Sequence, residues 1–386
     1  MTPATPAPDR IQSIDALRGF DMFWIIGGDA FFRALAKWAN VPIWSDRCLR
    51  QLEHAEWEGF YFYDLIFPLF LFLVGTVIPF SLDSARRRGA TMGALYSRII
   101  RRTLLLFALA LLYNGILQLK WIAPTDDGGW TVNFHDNLRI TGVLQRIAVC
   151  YGIAAVITLN TRPRGRLVVI AAILLGYWAI LTFVPNPETG VAGDLSKEGN
   201  LAGYLDRHYL PGKILDKYYG YGDNEGLLST IPAVATVLLG TLAGQWLRTN
   251  VESGWKMLGL AVAGVVALAI GEVWAITFPV IKNLWTSSFV MVTCGWSLLL
   301  LALFYGVIDV LRWRAWAFFF VVIGANAITI YVGQQIIPFA AMAKFFFGGV
   351  ERFAGELAPV IAAAGVLVVK WLFLLYLYRQ KLFLRV

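Results

Sequence analysis

Apolar runs of about 20 residues, long enough to cross a bilayer as a helix, recur from one end of this 386-residue chain to the other. The runs are continuous. Strands of a membrane barrel would be about 10 residues long and would alternate between apolar and polar, so a β-barrel is excluded. Hydrophobic residues make up 58% of the chain and charged residues 15%, with a mean hydropathy of +0.63. A protein folding in water could not bury that much apolar surface and keep a polar exterior. The fold class is therefore all-α, a polytopic transmembrane helical bundle of about 10–11 helices on a bilayer-length count. The expected spans are 14–36, 60–81, 99–119, 138–159, 167–184, 227–247, 257–278, 286–308, 315–335 and 358–378. An interfacial or re-entrant piece is expected at 336–347, where Pro338 follows Gly333-Gln334-Gln335.

Alternate loops differ in their basic residues. One set carries Arg86, Arg87, Arg88 and Arg98, then Arg162, Arg164 and Arg166, then Arg248 and Lys256, Arg312 and Arg314, and finally Arg379, Lys381 and Arg385. The other set has fewer basic residues and more acids, among them Asp46, Glu53, Glu56, Glu58, Asp126, Asp127 and Asp136. The positive-inside rule puts the Arg-rich set and both termini in the cytoplasm. His54, the 185–226 loop and Lys282 then face the other side. The net charge of +8 is thus a topology signal, and no nucleic-acid partner is expected. The stretch before the first apolar run lacks the pattern of a cleavable signal. With no convincing internal repeat, the expected organisation is a cytoplasmic tail over 1–13, a single transmembrane domain over 14–378, and a second cytoplasmic tail over 379–386. The 185–226 loop is long enough to be functional or an insertion. Cys48, Cys150 and Cys294 suggest neither a disulfide framework nor a thiolate zinc site.

Several charges fall inside the apolar segments, where each costs about 2.5–3.5 kcal/mol at the bilayer centre on insertion scales. Asp15 and Asp21 flank Arg18 at three-residue spacing, so both can reach its guanidinium. The arrangement suits a local ion pair at the cytoplasmic headgroups. It equally suits a polar stripe that continues to Asp29, roughly 21 Å along an unbroken helix, and lines a conduit. Asp64 lies about one turn inside the second span, and Pro68 removes the N–H that would bond its carbonyl. Either a polar cavity or a snorkelling carboxylate would result. Arg146, deep in the fourth span, needs Asp29, Asp64 or a bound anion as partner, and Lys370 is expected to snorkel.

The segment His54-Ala55-Glu56-Trp57-Glu58-Gly59 puts one of three histidines at the mouth of a span, ten residues before Asp64. A titratable imidazole backed by an acid at a membrane boundary suits proton-transfer chemistry. His135 and His208 have no acid at a telling spacing, and the histidines form no metal-ligand pattern on any one element. No nucleophile elbow, phosphate-binding loop or dinucleotide fingerprint is present.

A joint pattern runs through the chain: Ser13-Ile14-Asp15-Ala16-Leu17-Arg18-Gly19, the His54 segment, Asp64-Leu65-Ile66-Phe67-Pro68 with Phe72-Leu73-Val74-Gly75, and Gly142-Val143-Leu144-Gln145-Arg146. It continues with Asp223-Asn224-Glu225-Gly226, Lys282-Asn283-Leu284-Trp285-Thr286, and Gly324-Ala325-Asn326 with Tyr331. This resembles the transmembrane acetyltransferases of the heparan-α-glucosaminide N-acetyltransferase type, including their bacterial relatives. The resemblance implies a bacterial inner-membrane enzyme that takes acetyl-CoA from the cytoplasm and delivers acetyl to an amino sugar or glycan on the far side, without a metal. His54 matches the family's active-site histidine and would act as general base or acyl carrier, with Asp64 or Asp29 orienting it. Arg18, Asp15, Arg98, Arg101 and Arg102 are candidates for holding the donor at the cytoplasmic mouth. Trp57, Arg146, Glu225 and Asn283 are candidates for the acceptor side, Arg146 and Asn283 also as oxyanion donors. Asp29 is a departure, since the better-known members are expected to carry Asn there. A carrier for an amino sugar or other small solute would also suit intramembrane charges, although the chain lacks two related halves. The acceptor and the oligomeric state, a homodimer included, are left open.

Overall fold

The computed structural model describes residues 11–40, 42–116, 122–124, 129–132, 138–214 and 220–384. The helices in chain order are α1 (Gln12–Phe23), α2 (Asp29–Ala39), α3 (Pro42–Gln51), α4 (Phe62–Arg87), α5 (Met92–Tyr113), α6 (Val143–Asn160), α7 (Pro163–Phe183) and α8 (Leu201–Tyr209). They continue with α9 (Thr230–Leu247), α10 (Ser253–Ala275), α11 (Ser287–Tyr305), α12 (Ala317–Ala325), α13 (Ala327–Ile336), α14 (Phe339–Phe353) and α15 (Ala358–Arg379). A short antiparallel pair, β1 (Ile122–Pro124) and β2 (Trp130–Val132), lies between α5 and α6. His135 and the acids around it fall outside the described residues.

Among the described residues, seven helices are long and apolar enough to cross a membrane, and α12 with α13, bent by 68° at Asn326, gives an eighth. The other two expected spans are helical but atypical. α5 carries Arg98, Arg101 and Arg102. The first span is interrupted by a π-turn at Trp24–Gly28, where Gly27 adopts φ 131°, a left-handed value that favours glycine. This break corrects the expected stripe from Asp15 to Asp29, because the two acids do not share one unbroken helix. It also explains Lys370. Instead of snorkelling, Lys370 is buried and donates to the Ile26 carbonyl at 2.6 Å and to Gln334 Oε1 at 3.1 Å, satisfying an acceptor where the helical ladder is disturbed. The interfacial or re-entrant piece expected at 336–347 is covered by a helix, α14, that starts after Pro338, packs on α15 and is not among the helices able to cross a membrane.

Helices cross closely where glycine removes the side chain. A Cβ on Gly75 of α4 would lie 2.0 Å from the Val237 carbonyl oxygen of α9, and one on Gly240 would lie 2.0 Å from the Phe72 oxygen. Gly19 of α1 and Gly324 of α12 make the equivalent contact. Buried Leu69, Leu71, Phe72 and Leu73 of α4 thereby join the core with Val237 and Leu238 of α9. A smaller cluster around Tyr177, Phe278, Ile281 and Leu284 supports the outer loops. Both clusters matter for function because they fix the first turn of α4 against the loop between α10 and α11.

Candidate active site

α4 begins at Phe62, which places Asp64 in the first turn, where backbone N–H groups lack helical partners. Its Oδ2 accepts from Tyr61 N at 3.0 Å and from Ala55 N at 3.2 Å, so the carboxylate folds the 54–61 segment back over the helix end. Asp64 is fully buried; the snorkelling alternative does not describe it. Its Oδ1 accepts from His54 Nδ1 at 2.8 Å. In the tautomer that donates to this carboxylate, Nδ1 carries the proton and Nε2 presents its lone pair.

The loop between α10 and α11 adds a third group. Gly59 N donates to Val280 O at 2.9 Å, and Glu58 and Ile281 form an antiparallel bridge; Gly59 has φ 119°, which a side chain would strain. Thr286 Oγ1 accepts from Ile281 N at 3.1 Å and donates to Pro279 O at 2.8 Å, closing the loop on itself. Lys282 is thereby delivered to the histidine. Its Nζ lies 3.2 Å from Asp64 Oδ1, 2.8 Å from His54 Nδ1 and 3.3 Å from Nε2. Burial lowers the Lys282 pKa from its ordinary value, and the Asp64 charge partly offsets this.

These groups open into a cavity of about 440 Å³. Its lining includes His54, Tyr63, Asn224, Glu225, Lys282 and Asn283, together with Met22 and Ile25 of α1, Tyr113 and Tyr331. Arg139, which also lines the cavity, forks onto Asp223 at 2.8 and 3.3 Å and reaches Glu225 at 2.6 Å. Such bidentate pairing fixes both carboxylates geometrically. Asp206 of α8, fully engaged, accepts from Asp223 N at 3.1 Å and Leu227 N at 2.9 Å, so the long outer loop positions Glu225.

The remaining sequence candidates lie as follows. Asn283 and Glu225 line the cavity beside His54. Trp57 does not line it; its Nε1 donates to Leu195 O at 2.9 Å, and the ring packs into the smaller core cluster. Arg146 is buried and, among the described residues, has no acid within ion-pair distance: it donates to Ser229 Oγ and, at 3.4 Å, to Gly226 O, with its guanidinium 5.0 Å from the Trp285 ring centre. Among the described residues Asp29 makes no hydrogen bond or ion pair to His54; that position belongs to Asp64. Asp15 and Arg18 form an ion pair at 3.6 Å. Asp15 lines a separate cleft of about 330 Å³ at the far ends of α1 and α4, together with Ser81, Ser84 and Arg88. Arg98 and Arg101 are exposed on α5, and Arg102 stacks 4.6 Å over Tyr151, so none of the three lines that cleft. Arg88 lines it. His208 is exposed and bonds Tyr204 O at 3.0 Å. No group of metal-binding side chains occurs among the described residues.

Arg139 and Arg146, seven residues apart, read as two charges on one face of the expected fourth span, but that helix begins only at Val143 and Arg139 precedes it; Lys282 and Arg88 read only as loop cations. The signal for Lys282 was present: it is a lysine in an outer loop, immediately before Asn283-Leu284-Trp285.

A buried acid, an imidazole and an amine converging on one cavity inside a helical membrane bundle suit acyl chemistry. A family model described as an acyltransferase domain matches residues 11–377. The chain belongs to this acyltransferase family. It is 27% identical to the heparan-alpha-glucosaminide N-acetyltransferase of Homo sapiens and 28% identical to that of Mus musculus, in each case over 98% of this chain. The acyltransferase spans 60% and 61% of the length of those two proteins. It is an integral membrane protein, and its family supports an acyl-transfer role.

Proposed function

We propose that this acyltransferase moves an acetyl group from acetyl-CoA, taken from the cytoplasm, to the amine (or hydroxyl) of an amino sugar or glycan on the opposite side of a bacterial inner membrane. The single observation that carries the reading is the His54–Asp64–Lys282 constellation facing the cavity. The similarity to heparan-alpha-glucosaminide N-acetyltransferases supports acetyl as the group and an amine as the acceptor. The positive-inside pattern supports cytoplasmic termini, with His54 on the far side.

In this reading His54 Nε2 takes a proton from the acceptor amine as its nitrogen attacks the thioester carbonyl. The carbon–sulfur bond breaks, an amide forms, and the proton passes to the departing sulfur. The same lone pair would serve if His54 first carried the acetyl group itself. Asp64 holds the imidazole with Nδ1 protonated. The Lys282 ammonium, 3.3 Å from Nε2, stabilises the oxyanion that develops beside that nitrogen. The cleft at the far ends of α1 and α4, with Arg88, Ser81 and Ser84, is the site we assign to the donor's anionic portion, and the seam between α1 and α4 is its route toward His54.

The test uses purified protein with acetyl-CoA and glucosamine, wild type beside His54→Ala and Arg88→Gln. Wild type should bind acetyl-CoA and form N-acetylglucosamine. His54→Ala should still bind but transfer about 10²–10⁴-fold more slowly, the range for losing a positioned acid–base group, and Arg88→Gln should weaken binding. Failure of wild type to bind acetyl-CoA would sink the reading.

A further inference from the structure

A second cavity of about 460 Å³ adjoins the first and shares Gly142, Gln145 and Glu225 with it. Its walls are supplied by α5, α6, α7 and α9 together with loop residues that include Ile140, Leu210, Pro211 and Leu227, and most of its lining is apolar: Phe107, Val149, Ile173 and Val234 are examples. Ile153 and Ile231, which also line it, are 45% and 43% exposed on helices that face lipid. The cavity is therefore bordered by exposed apolar side chains of α6 and α9.

One end is different. Thr141, Gln145 and Arg146 line it, and all three carry buried polar atoms without a hydrogen-bond partner among the described residues: Thr141 Oγ1, Gln145 Nε2, and Nε and Nη1 of Arg146. Such groups each carry a desolvation cost that a ligand could relieve. Every one of them can donate, and two belong to a guanidinium that has no acid in ion-pair range among the described residues. Amide, hydroxyl and guanidinium donors at the end of an apolar slot match an oxyanion on a hydrocarbon chain. Across the shared wall, Glu225 and the unpartnered Asn224 Oδ1 face the His54 cavity, where acceptor oxygens would suit an ammonium or amine.

We infer that this cavity binds an anionic amphiphile from the outer leaflet, its chain in the apolar slot and its phosphate or carboxylate on Arg146, Gln145 and Thr141. An amine a few bonds from that anion would pass Glu225 and reach His54, so the acceptor is presented on a lipid rather than drawn from water. This last step rests on the acetyl-transfer reading; the binding site itself does not.

Binding is measured first, without acetyl-CoA, as saturable uptake of fluorescent lysophosphatidate by the detergent-purified protein. Wild type should bind. Arg146→Gln and the slot-filling Val149→Phe should each weaken binding by about tenfold or more, the usual loss for a charged hydrogen bond. Thr141→Val, a milder change, keeps the test informative if Arg146→Gln does not fold. Transfer is then measured with lyso-phosphatidylethanolamine, a long-chain O-alkyl serine, a long-chain alkylamine and free glucosamine as acceptors. Preference for the first supports a phosphate ligand, and preference for the second a carboxylate. Equal use of the alkylamine removes the role given to Arg146. Saturable binding with no acetylated amine upholds the site and overturns the acetyl-transfer reading. Acetylated glucosamine without saturable lysophosphatidate binding, or with binding indifferent to all three variants, overturns the site and leaves acetyl transfer standing.

Discussion

Lys282 Nζ lies 2.8 Å from His54 Nδ1 although 228 residues separate them in sequence, and both nitrogens approach the same oxygen of Asp64. A cation in that position opposes a second positive charge on the ring and favours negative charge developing beside it. Lys282→Met should therefore reduce transfer by about 10²–10³-fold, the usual effect of losing one oxyanion donor. The sign of the pH effect follows from burial, which lowers the Lys282 pKa below its ordinary value. As pH rises through that lowered value the ammonium is lost, so wild-type activity should fall on the alkaline side earlier than an ordinary lysine would dictate. Lys282→Arg, charged throughout the range, should be slower at neutral pH yet lack that alkaline fall. Superimposable alkaline limbs in rate–pH profiles of the two proteins would count against Lys282 as the titrating group.

Asp64→Asn separates positioning from packing. The amide oxygen still accepts from the 54–61 backbone, so α4 keeps its start, but the imidazole loses the acceptor that fixes its proton on Nδ1. A comparable change in a hydrolase triad lowers turnover by about 10⁴-fold through the wrong tautomer. Transfer here should fall by about 10²–10⁴-fold with donor binding unchanged, as measured by acetyl-CoA titration beside single-turnover rates. A parallel loss of donor binding would point to a structural defect instead.

The sequence carries the membrane class and the helical segments because each apolar run is long and continuous. It also carries the His54–Asp64 pair, since ten residues of loop and helix start can hardly separate the two. It does not carry Lys282 or Arg139, whose partners come from distant loops. Charge reasoning offered Asp29, Asp64 or a bound anion for Arg146; among the described residues neither acid pairs with it, and Ser229 and the Gly226 carbonyl meet one of its nitrogens, a contact that depends on how the 223–229 turn sits on Asp206. The polar stripe from Asp15 to Asp29 failed for a local reason: Gly27-Gly28 permits the π-turn that rotates α2 away from the register of α1. Trp57, a candidate for the acceptor side, donates its indole N–H to Leu195 and packs into the smaller core cluster, a placement set by the 185–226 loop.

Asp206 gives the outer loop a measurable pH dependence. Burial pushes its pKa up from 3.8 to about 6, despite two backbone N–H donors that favour the ionised form. The folded protein thus holds this proton more tightly than the unfolded chain, so the contribution is largest below pH 3.8 and is lost as pH rises toward 6. The shift corresponds to about 3 kcal/mol. Asp206→Asn does not titrate and should differ from wild type by an amount that changes by about that much between pH 4 and 6.5. Chemical unfolding of both proteins across this range measures the difference, and a flat difference would refute the assignment.

The α4–α9 crossing tests whether the site depends on helix contact made through glycine. Gly75 and Gly240 face opposing backbone oxygens, each with room for hydrogen but not for a methyl group. Gly240→Ala should push the helices apart and cost about 1–3 kcal/mol, as overpacking of a tight interior does. The displacement should reach the site as well, because Trp285 packs against Phe67 of α4 at 5.2 Å and reaches Thr236 of α9 through its indole N–H at 3.3 Å. Gly254 of α10, with open space around its Cβ position, is the matched control. Thermal unfolding in detergent should show a lower midpoint for Gly240→Ala only. Transfer measured well below that midpoint should fall in the same variant, whereas a stability loss with an unchanged rate would mean that the cavity does not depend on this crossing.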